Sequence, residues 1–475
     1  MGQRRSQRNS PAVRALAFVT AVLALLLVGA TAKADAAVGL DPAFGSGGFA
    51  TAPLTDKYGG GSIELGVAPD GSAVLASSNG QQLVRFDAAG APDTSFGGSE
   101  GVQLESLVPE LKTKGVSFLP RATAVDNLGR TLIFGETIDY SRAVPEGYAG
   151  PVYQSEAMVV RLTSAGQLDP SFGEGKGYVE STLGLNPHLG TGFPTTGIMA
   201  GTVDSQDRPV LLADVQDGSS GCYAHGGVGP KPVAVVRLTQ SGTLDPTFGT
   251  AGRSPIEGSG SFAGPVIGLD GKDQPVAAVG RSGSYKGECG VGRFVYRLRA
   301  DGSRLGSFGA KGFRAFQRLE PDIVTPSGAL ILSRRHGSTL GIVRVRPNGD
   351  RDKTFGKGGV DEIHLPSTVD YNYAPVAVDA AGRIVLAGAA GPPLKTPLPR
   401  RSRLDSLVVG RLLADGRLDA SFGTKGRRYA RIPGPPRITN LRAALDPQGR
   451  LLVGATTIEH GESGPGFLLA RFLLG

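Results

Sequence analysis

The chain is expected to be all-β, a seven-bladed β-propeller of four-stranded blades behind an N-terminal signal peptide. Three observations carry that expectation. A Phe-Gly corner recurs seven times, a hairpin signal lies between successive corners, and a short apolar strand ending in Arg precedes each later corner and the C-terminus. Repeats of this length with about four strands each fit blades that hide an apolar face on their neighbours.

The corner is clearest at Gly166-Gln167-Leu168-Asp169-Pro170-Ser171-Phe172-Gly173. Its aromatic recurs as Phe44, Phe96, Phe172, Phe248, Phe308, Phe355 and Phe422, at spacings of 47 to 76 residues. The acid three residues earlier is Asp41, Asp93, Asp169, Asp245, Asp352 or Asp419, and copy five alone has Leu305 there. Ser or Thr sits before Phe in every copy except the first, which has Ala43. An Asp with Ser or Thr two residues on bonds its own backbone as an Asx-turn, Pro presets one dihedral, and Gly supplies positive φ. A buried Phe would pin the corner to the core. Recurrent aspartates could instead ring a ligand or a metal ion, but a copy that tolerates Leu305 favours turn capping. The corner residues are therefore read as structural.

The hairpin element is typified by Ala377 to Gly388, two apolar runs around Asp379-Ala380-Ala381-Gly382-Arg383. Turn-forming Gly and Asp between short β-rich runs is a hairpin signal. The Arg strands end at Arg85, Arg161, Arg237, Arg297, Arg344, Arg411 and Arg471, each followed by an apolar residue. The sequence opens with a corner and ends on an Arg strand, so seven units close a ring with little remainder. The strand after corner one, Phe49 to Pro53, is expected to complete the last blade rather than the first, tying the two ends of the ring together.

With corner, hairpin and Arg strand in register from Leu40 to Leu474, the repeats resemble the delta-60 repeat family of bacterial propeller-like proteins. The resemblance implies a propeller-like fold. It brings no agreed activity and no catalytic residues to carry over.

Residues 1–36 read as a signal peptide: Arg4, Arg5, Arg8 and Arg14, an apolar run from Ala15 to Gly29, then small residues at Ala32-Lys33-Ala34-Asp35-Ala36. The run is short for a membrane span, so no stable membrane insertion is expected after cleavage. Removing 34 residues lowers the net charge from +8 to +3, so the basic balance is largely a targeting effect. No cluster interleaves basic and aromatic residues, and nucleic acid is not an expected partner. The 73 Gly and 33 Pro suit a turn-rich, exported β protein. Residues 37–475 are expected to be one propeller domain, monomeric and extracytoplasmic.

Length varies between the hairpin and the Arg strand. Blade two inserts Glu136 to Ala157, blade three Val215 to Pro232, blade four Arg281 to Gly292 and blade six Gly391 to Asp405, whereas blade five has almost nothing. Such loops share one rim, where propellers carry recognition. Cys222 and Cys289, the only two cysteines, fall in matching loops of blades three and four and are expected to form a disulfide.

No catalytic constellation is legible. The match Gly97-Gly98-Ser99-Glu100-Gly101 to a nucleophile elbow lies in a repeat corner and lacks the strand-to-helix context. The five His are scattered, and no phosphate loop or metal-ligand spacing appears. No catalytic residue, cofactor or metal ligand is assigned. The expected function is a secreted, non-catalytic binding module that takes an extracellular glycan or protein on the loops of blades two, three, four and six. A carbohydrate hydrolase or lyase is the alternative, since propeller enzymes assemble sites from single residues of several blades. Three or more titratable groups converging at the channel mouth would favour it.

Overall fold

In the computed structural model the described residues are 39–475 apart from 56–61, 78–81, 114, 140–153, 186–195, 216–231, 258–265, 281–283, 286–287, 290–292, 367–368, 370–372, 392–403, 435–436 and 459–465. They form seven four-stranded antiparallel sheets and one two-stranded ribbon.

Strand β1 (Phe49–Pro53) comes first in the sequence and last in the ring. Blade one is β2 (Ile63–Val67), β3 (Ala73–Ser77), β4 (Gln82–Phe86) and β5 (Val102–Gln103). Two short helices, α1 (Leu104–Leu107) and α2 (Pro109–Thr113), follow it. Blade two is β6 (Val116–Val125), β7 (Thr131–Asp139), β8 (Gln154–Leu162) and β9 (Tyr178–Ser181). Blade three is β10 (Thr196–Val203), β11 (Pro209–Val215), β12 (Pro232–Arg237) and β13 (Arg253–Glu257). Blade four has β14 (Val266–Leu269), β15 (Pro275–Gly280), the ribbon β16 (Ser284–Tyr285) and β17 (Glu288–Cys289), then β18 (Arg293–Arg297) and β19 (Phe313–Phe316). Blade five is β20 (Glu320–Val324), β21 (Leu330–His336), β22 (Thr339–Val345) and β23 (Val360–His364). Blade six is β24 (Ala374–Val378), β25 (Ile384–Ala390), β26 (Ser406–Leu412) and β27 (Arg427–Arg431). Blade seven takes β28 (Arg437–Leu445), β29 (Leu451–Ile458) and β30 (Gly466–Phe472), and β1 completes it.

The first strands of the blades, β2, β6, β10, β14, β20, β24 and β28, each touch the next around a closed cycle, with β2 meeting β28. They are the inner strands of a seven-bladed propeller. The second strands sit between neighbouring blades, so both of their faces are covered. That explains why β3, β15 and β25 read as unbroken runs of small and aliphatic residues, buried at every position, rather than as alternating ones. The fourth strands form the outer edge and are short or charged, as in Arg427-Arg428-Tyr429-Ala430-Arg431, a pattern that discourages edge-to-edge pairing between molecules.

Closure follows the expectation. β1 runs antiparallel to β30 from Phe49↔Ala470 to Pro53↔Gly466. The strand after every corner is likewise the outer strand of the preceding blade, so corner one closes blade seven and corner five closes blade four. The insert boundaries of blade two are corrected. Glu136 to Asp139 and Gln154 to Ala157 prolong β7 and β8, with Glu136 paired to Ala157. Their polar side chains read as loop, but Glu136 is buried and accepts hydrogen bonds from Arg121. The helices α1 and α2 were not expected. Their Leu104, Val108 and Leu111 are buried against the core between blades one and two.

Antiparallel order within a blade places the hairpin turns and the Phe-Gly corners at one rim. The other rim receives the connections from second to third strands and from blade to blade, where length varies. The greater part of those variable loops lies outside the described residues. So does Cys222, and of Cys289 only the backbone in β17 is described, which leaves the disulfide an expectation.

Candidate functional site

The corner rim is built from one repeated unit. In blade two, Arg161 donates through Nε to Asp169 Oδ2 at 2.7 Å and through Nη2 to Ser171 Oγ at 2.8 Å. Asp169 Oδ1 accepts from Ser171 N and Oγ, forming the Asx-turn. The guanidinium lies 4.5 Å from the centroid of the Phe172 ring, close enough for a cation–π contact. The same Arg–Asp contact recurs at 2.8 Å for Arg237–Asp245, 2.7 Å for Arg344–Asp352 and Arg411–Asp419, 2.9 Å for Arg471–Asp41 and 3.6 Å for Arg85–Asp93. All seven corner Phe side chains are fully buried.

Each of these arginines also reaches the next blade. Arg85 donates to Ser164 O, Arg161 to Gln240 O, Arg237 to Ala300 O, Arg297 to Pro347 O, Arg344 to Ala414 O, Arg411 to Gly475 O and Arg471 to Ala88 O. Seven arginines thus staple seven blades in a cycle. Close approach fixes glycine at the receiving turn. Gly242 has φ +93°, and a Cβ there would stand 2.9 Å from the Phe172 ring of the blade before. The corner aspartates sit in separate blades, each held by its own turn and arginine. Among the described residues no three His, Cys, Asp or Glu side chains gather to hold a metal ion.

Burial would raise the Asp169 carboxyl. The hydrogen bonds of Ser171 and the charge of Arg161 outweigh it and hold the group below the usual carboxylate range. Asp245 and Asp352 behave in the same way, with Thr247 and Thr354 as the hydrogen-bonding partners. Six of the seven corners carry this Arg–Asp pair, corner five having Leu305 in the acid position, and in five of the six the Asp follows its Arg by eight residues, Arg471–Asp41 being the pair that closes the ring.

The opposite rim and the inner strands hold the groups that sequence reasoning missed. Arg442 of β28 donates to Glu64 of β2 at 3.0 Å, tying blades seven and one. Burial nonetheless raises the Glu64 carboxyl, with Arg442 offsetting part of the shift. Arg293 of blade four contacts Glu320 of blade five. Arg121 donates to buried Glu136 at 2.5 Å, and Thr137 donates to Glu180 at 3.0 Å.

Asp322 is a further raised carboxyl. It is the extra residue of a bulge in β20, between Pro321 and Ile323. A bulge re-aims one side chain against the alternation of its strand. Oδ1 accepts from Ser333 Oγ at 3.1 Å, whereas Oδ2 is out of solvent and has no hydrogen-bond partner. Burial pushes the carboxyl up to about 8, and the nearby charge of Glu320 adds to the shift against the Ser333 bond. Asp322 therefore carries a proton at neutral pH and can donate a hydrogen bond. No pattern in the sequence announces it, because bulge and burial exist only in the assembled blade.

A stability test follows. The folded-state pKa of Asp322 lies above the unfolded value of 3.8, so folding holds a proton that unfolding releases. Its stabilising effect is full below pH 3.8 and is lost as pH rises through about 8. Asp322→Asn is expected to match the native protein near pH 4 and to exceed it by about 2 kcal/mol above pH 8. Urea denaturation at both pH values measures the difference, and an equal effect at both would contradict the assignment.

Among the described residues of the inner strands, the raised carboxyls are Glu64 in blade one and Asp322 in blade five. The arrangement offers hydrogen-bond donors and acceptors around an otherwise small-residue and aliphatic inner wall.

The family-model comparison agrees at the level of the fold. Residues 233–248, the Arg strand and corner that contain Arg237, Asp245 and Phe248, match the family model described as a domain of unknown function (DUF5122) beta-propeller. No curated protein matches the chain. Among solved structures it is similar to the polysaccharide lyase Uly1, at 10% identity and TM-score 0.44, over 87% of this chain and 90% of that one. It is also similar to the virginiamycin B lyase of Staphylococcus aureus, at 10% identity and TM-score 0.40, over 88% and 98% of the two chains. A third is the aldose sugar dehydrogenase of Streptomyces coelicolor, at 12% identity and TM-score 0.36, over 89% and 98%.

Proposed function

We propose that the protein is exported, loses residues 1–36, and acts as a non-catalytic binding propeller of delta-60-type repeats. Its ligand, an extracellular glycan or protein, is held by the loops of blades two, three, four and six. The observation behind this reading is the contrast between the two rims. One is the same corner repeated around the ring, ion-paired in six of its seven copies. At the other, the link between second and third strands grows from two residues in blade five to sixteen in blade three. Freedom in length at one end of a rigid frame is what a recognition surface requires.

Binding of residues 37–475 to an array of cell-wall and extracellular glycans tests it. The expected result is a saturable signal that is lost when the blade-two or blade-three loop is cut to a two-residue turn. Glutamate and aspartate on inner strands, Glu64 and Asp322 with raised carboxyls, favour a carbohydrate hydrolase or lyase as the second reading. Turnover of a glycan on prolonged incubation, without saturable binding, would select it.

A further inference from the structure

Seven five-residue turns join the first strand of each blade to the second and stand around the channel mouth on the corner rim. In every one the fourth residue donates its N–H to the carbonyl of the first, as Gly129 does to Asp126 and Gly382 to Asp379. That fourth residue has positive φ. It is Gly71, Gly129, Gly328, Gly382 or Gly449 in five blades, but Asp207 at φ 59° in blade three and Asp273 at φ 55° in blade four. An L side chain is strained there, and such strain persists where a surrounding contact holds it.

Both carboxylates make that contact across a blade boundary. Asp207 Oδ1 accepts from Asn127 N of blade two at 2.9 Å. Asp273 accepts from Ser205 of blade three, at 3.0 Å from its N and 2.5 Å from its Oγ. Gly271 N of blade four donates to Pro326 O of blade five at 2.8 Å. Each donor is the second residue of its turn. At the other four junctions the chemistry is missing. The second residue is Pro69, Pro326 or Pro447 in blades one, five and seven, and proline has no N–H. Ala380 of blade six has one, but it faces Gly449 of blade seven, which offers no carboxylate. Among the described residues no hydrogen bond joins neighbouring turns at these four junctions.

We infer that the channel mouth on this rim is a two-part conformational device. The turns of blades two to five are latched into one rigid arc, and those of blades six, seven and one move independently of their neighbours. The arginine staples run around the whole ring and do not create this asymmetry; the turn latches do. Widening of the mouth is thereby confined to the side that also holds the non-covalent closure of blade seven by β1.

Hydrogen exchange of residues 37–475, read at single amides by mass spectrometry with fragmentation, tests the inference. Asn127, Ser205 and Gly271 amides are expected to exchange about tenfold more slowly than Ala380, and the turns of blades two and three more slowly than those of six and seven. Asp207→Gly should speed exchange at Asn127 about tenfold even though glycine relieves the backbone. Asp207→Asn should keep the protection, because its side-chain oxygen still accepts. If Asp207 served only to shape its own turn, glycine would protect Asn127 at least as well. Gly449→Asp should install a latch between blades six and seven and slow Ala380 about tenfold; a Cβ at Gly449 meets nothing within 4 Å. That variant keeps the test open if Asp207→Gly folds poorly. Equal exchange in latched and unlatched turns, an Asn127 amide indifferent to Asp207→Gly, or an Ala380 amide indifferent to Gly449→Asp would overturn the inference.

Discussion

A chain that begins at Ser62 is expected to lose the propeller fold, whereas one that begins at Ala37 keeps it. The missing segment supplies β1, the whole outer strand of blade seven. It also supplies Phe44, Phe49 and Leu54, at 0%, 8% and 6% exposure. Large apolar side chains contribute ~1.5–3 kcal/mol each on burial, so these three alone rival the ~5–15 kcal/mol net stability of a domain. Removing Asp41 strands the buried Arg471, which donates to it at 2.9 Å, and uncompensated buried charges cost several kcal/mol more. The edge of β30 would then be open to pairing with other molecules. Size-exclusion chromatography and calorimetry should show aggregation and no cooperative transition. Adding residues 39–55 after Gly475 should restore both, because Leu473 N donates to Gly39 O at 2.8 Å and the two ends already meet. A cooperative monomer without β1 would mean that closure does not hold the ring.

The architecture was legible because its signals are local. A corner, a hairpin turn and an apolar strand each declare themselves within a dozen residues, and seven copies in register remove the ambiguity that one copy leaves. Counting gave seven full units but not the closure, since the strand after a corner could open its own blade or complete the one before; the expectation that Phe49 to Pro53 completes the last blade rested on the tie this makes between the two ends. The Arg–Asp staple was only half legible. Both residues were visible as repeat markers, and their constant offset was the signal, but the contact arises only when the third strand runs back past its own corner. The inner wall was not legible. Glu64 and Arg442 are 378 residues apart, and Asp322 differs from a solvated strand acid only through a bulge and the blades around it. The ends of β7 and β8 were misread for a related reason: Glu136 looks like loop until Arg121 is seen to cover it.

Substituting an arginine of the corner rim should be the most damaging single change in the ring. Arg161 is 1% exposed and serves Asp169, Ser171 and, across the blade boundary, Gln240 O. Arg161→Ala is expected to cost ~3–5 kcal/mol, because Asp169 loses its principal counter-charge in a buried setting. Arg161→Lys should recover little, since one ammonium cannot reach three partners in a fork geometry. The pH response should change as well. The Asp169 carboxyl is held low in the folded state, so its contribution is present above the unfolded pKa and lost as pH falls through the folded one. In Arg161→Ala that acid-side loss should shrink. Blade four shows how the repeat tolerates the reciprocal loss: Leu305 replaces the acid and Gln274 the second base. Arg130 stands 3.6 Å from Asp169, so Asp169→Leu alone leaves it facing Arg161 without the shared carboxylate. Asp169→Leu combined with Arg130→Gln should therefore be about 1 kcal/mol more stable than Asp169→Leu. Urea denaturation of the single and double variants measures that coupling. Simple additivity would show that the paired substitution in blade four is not electrostatic compensation.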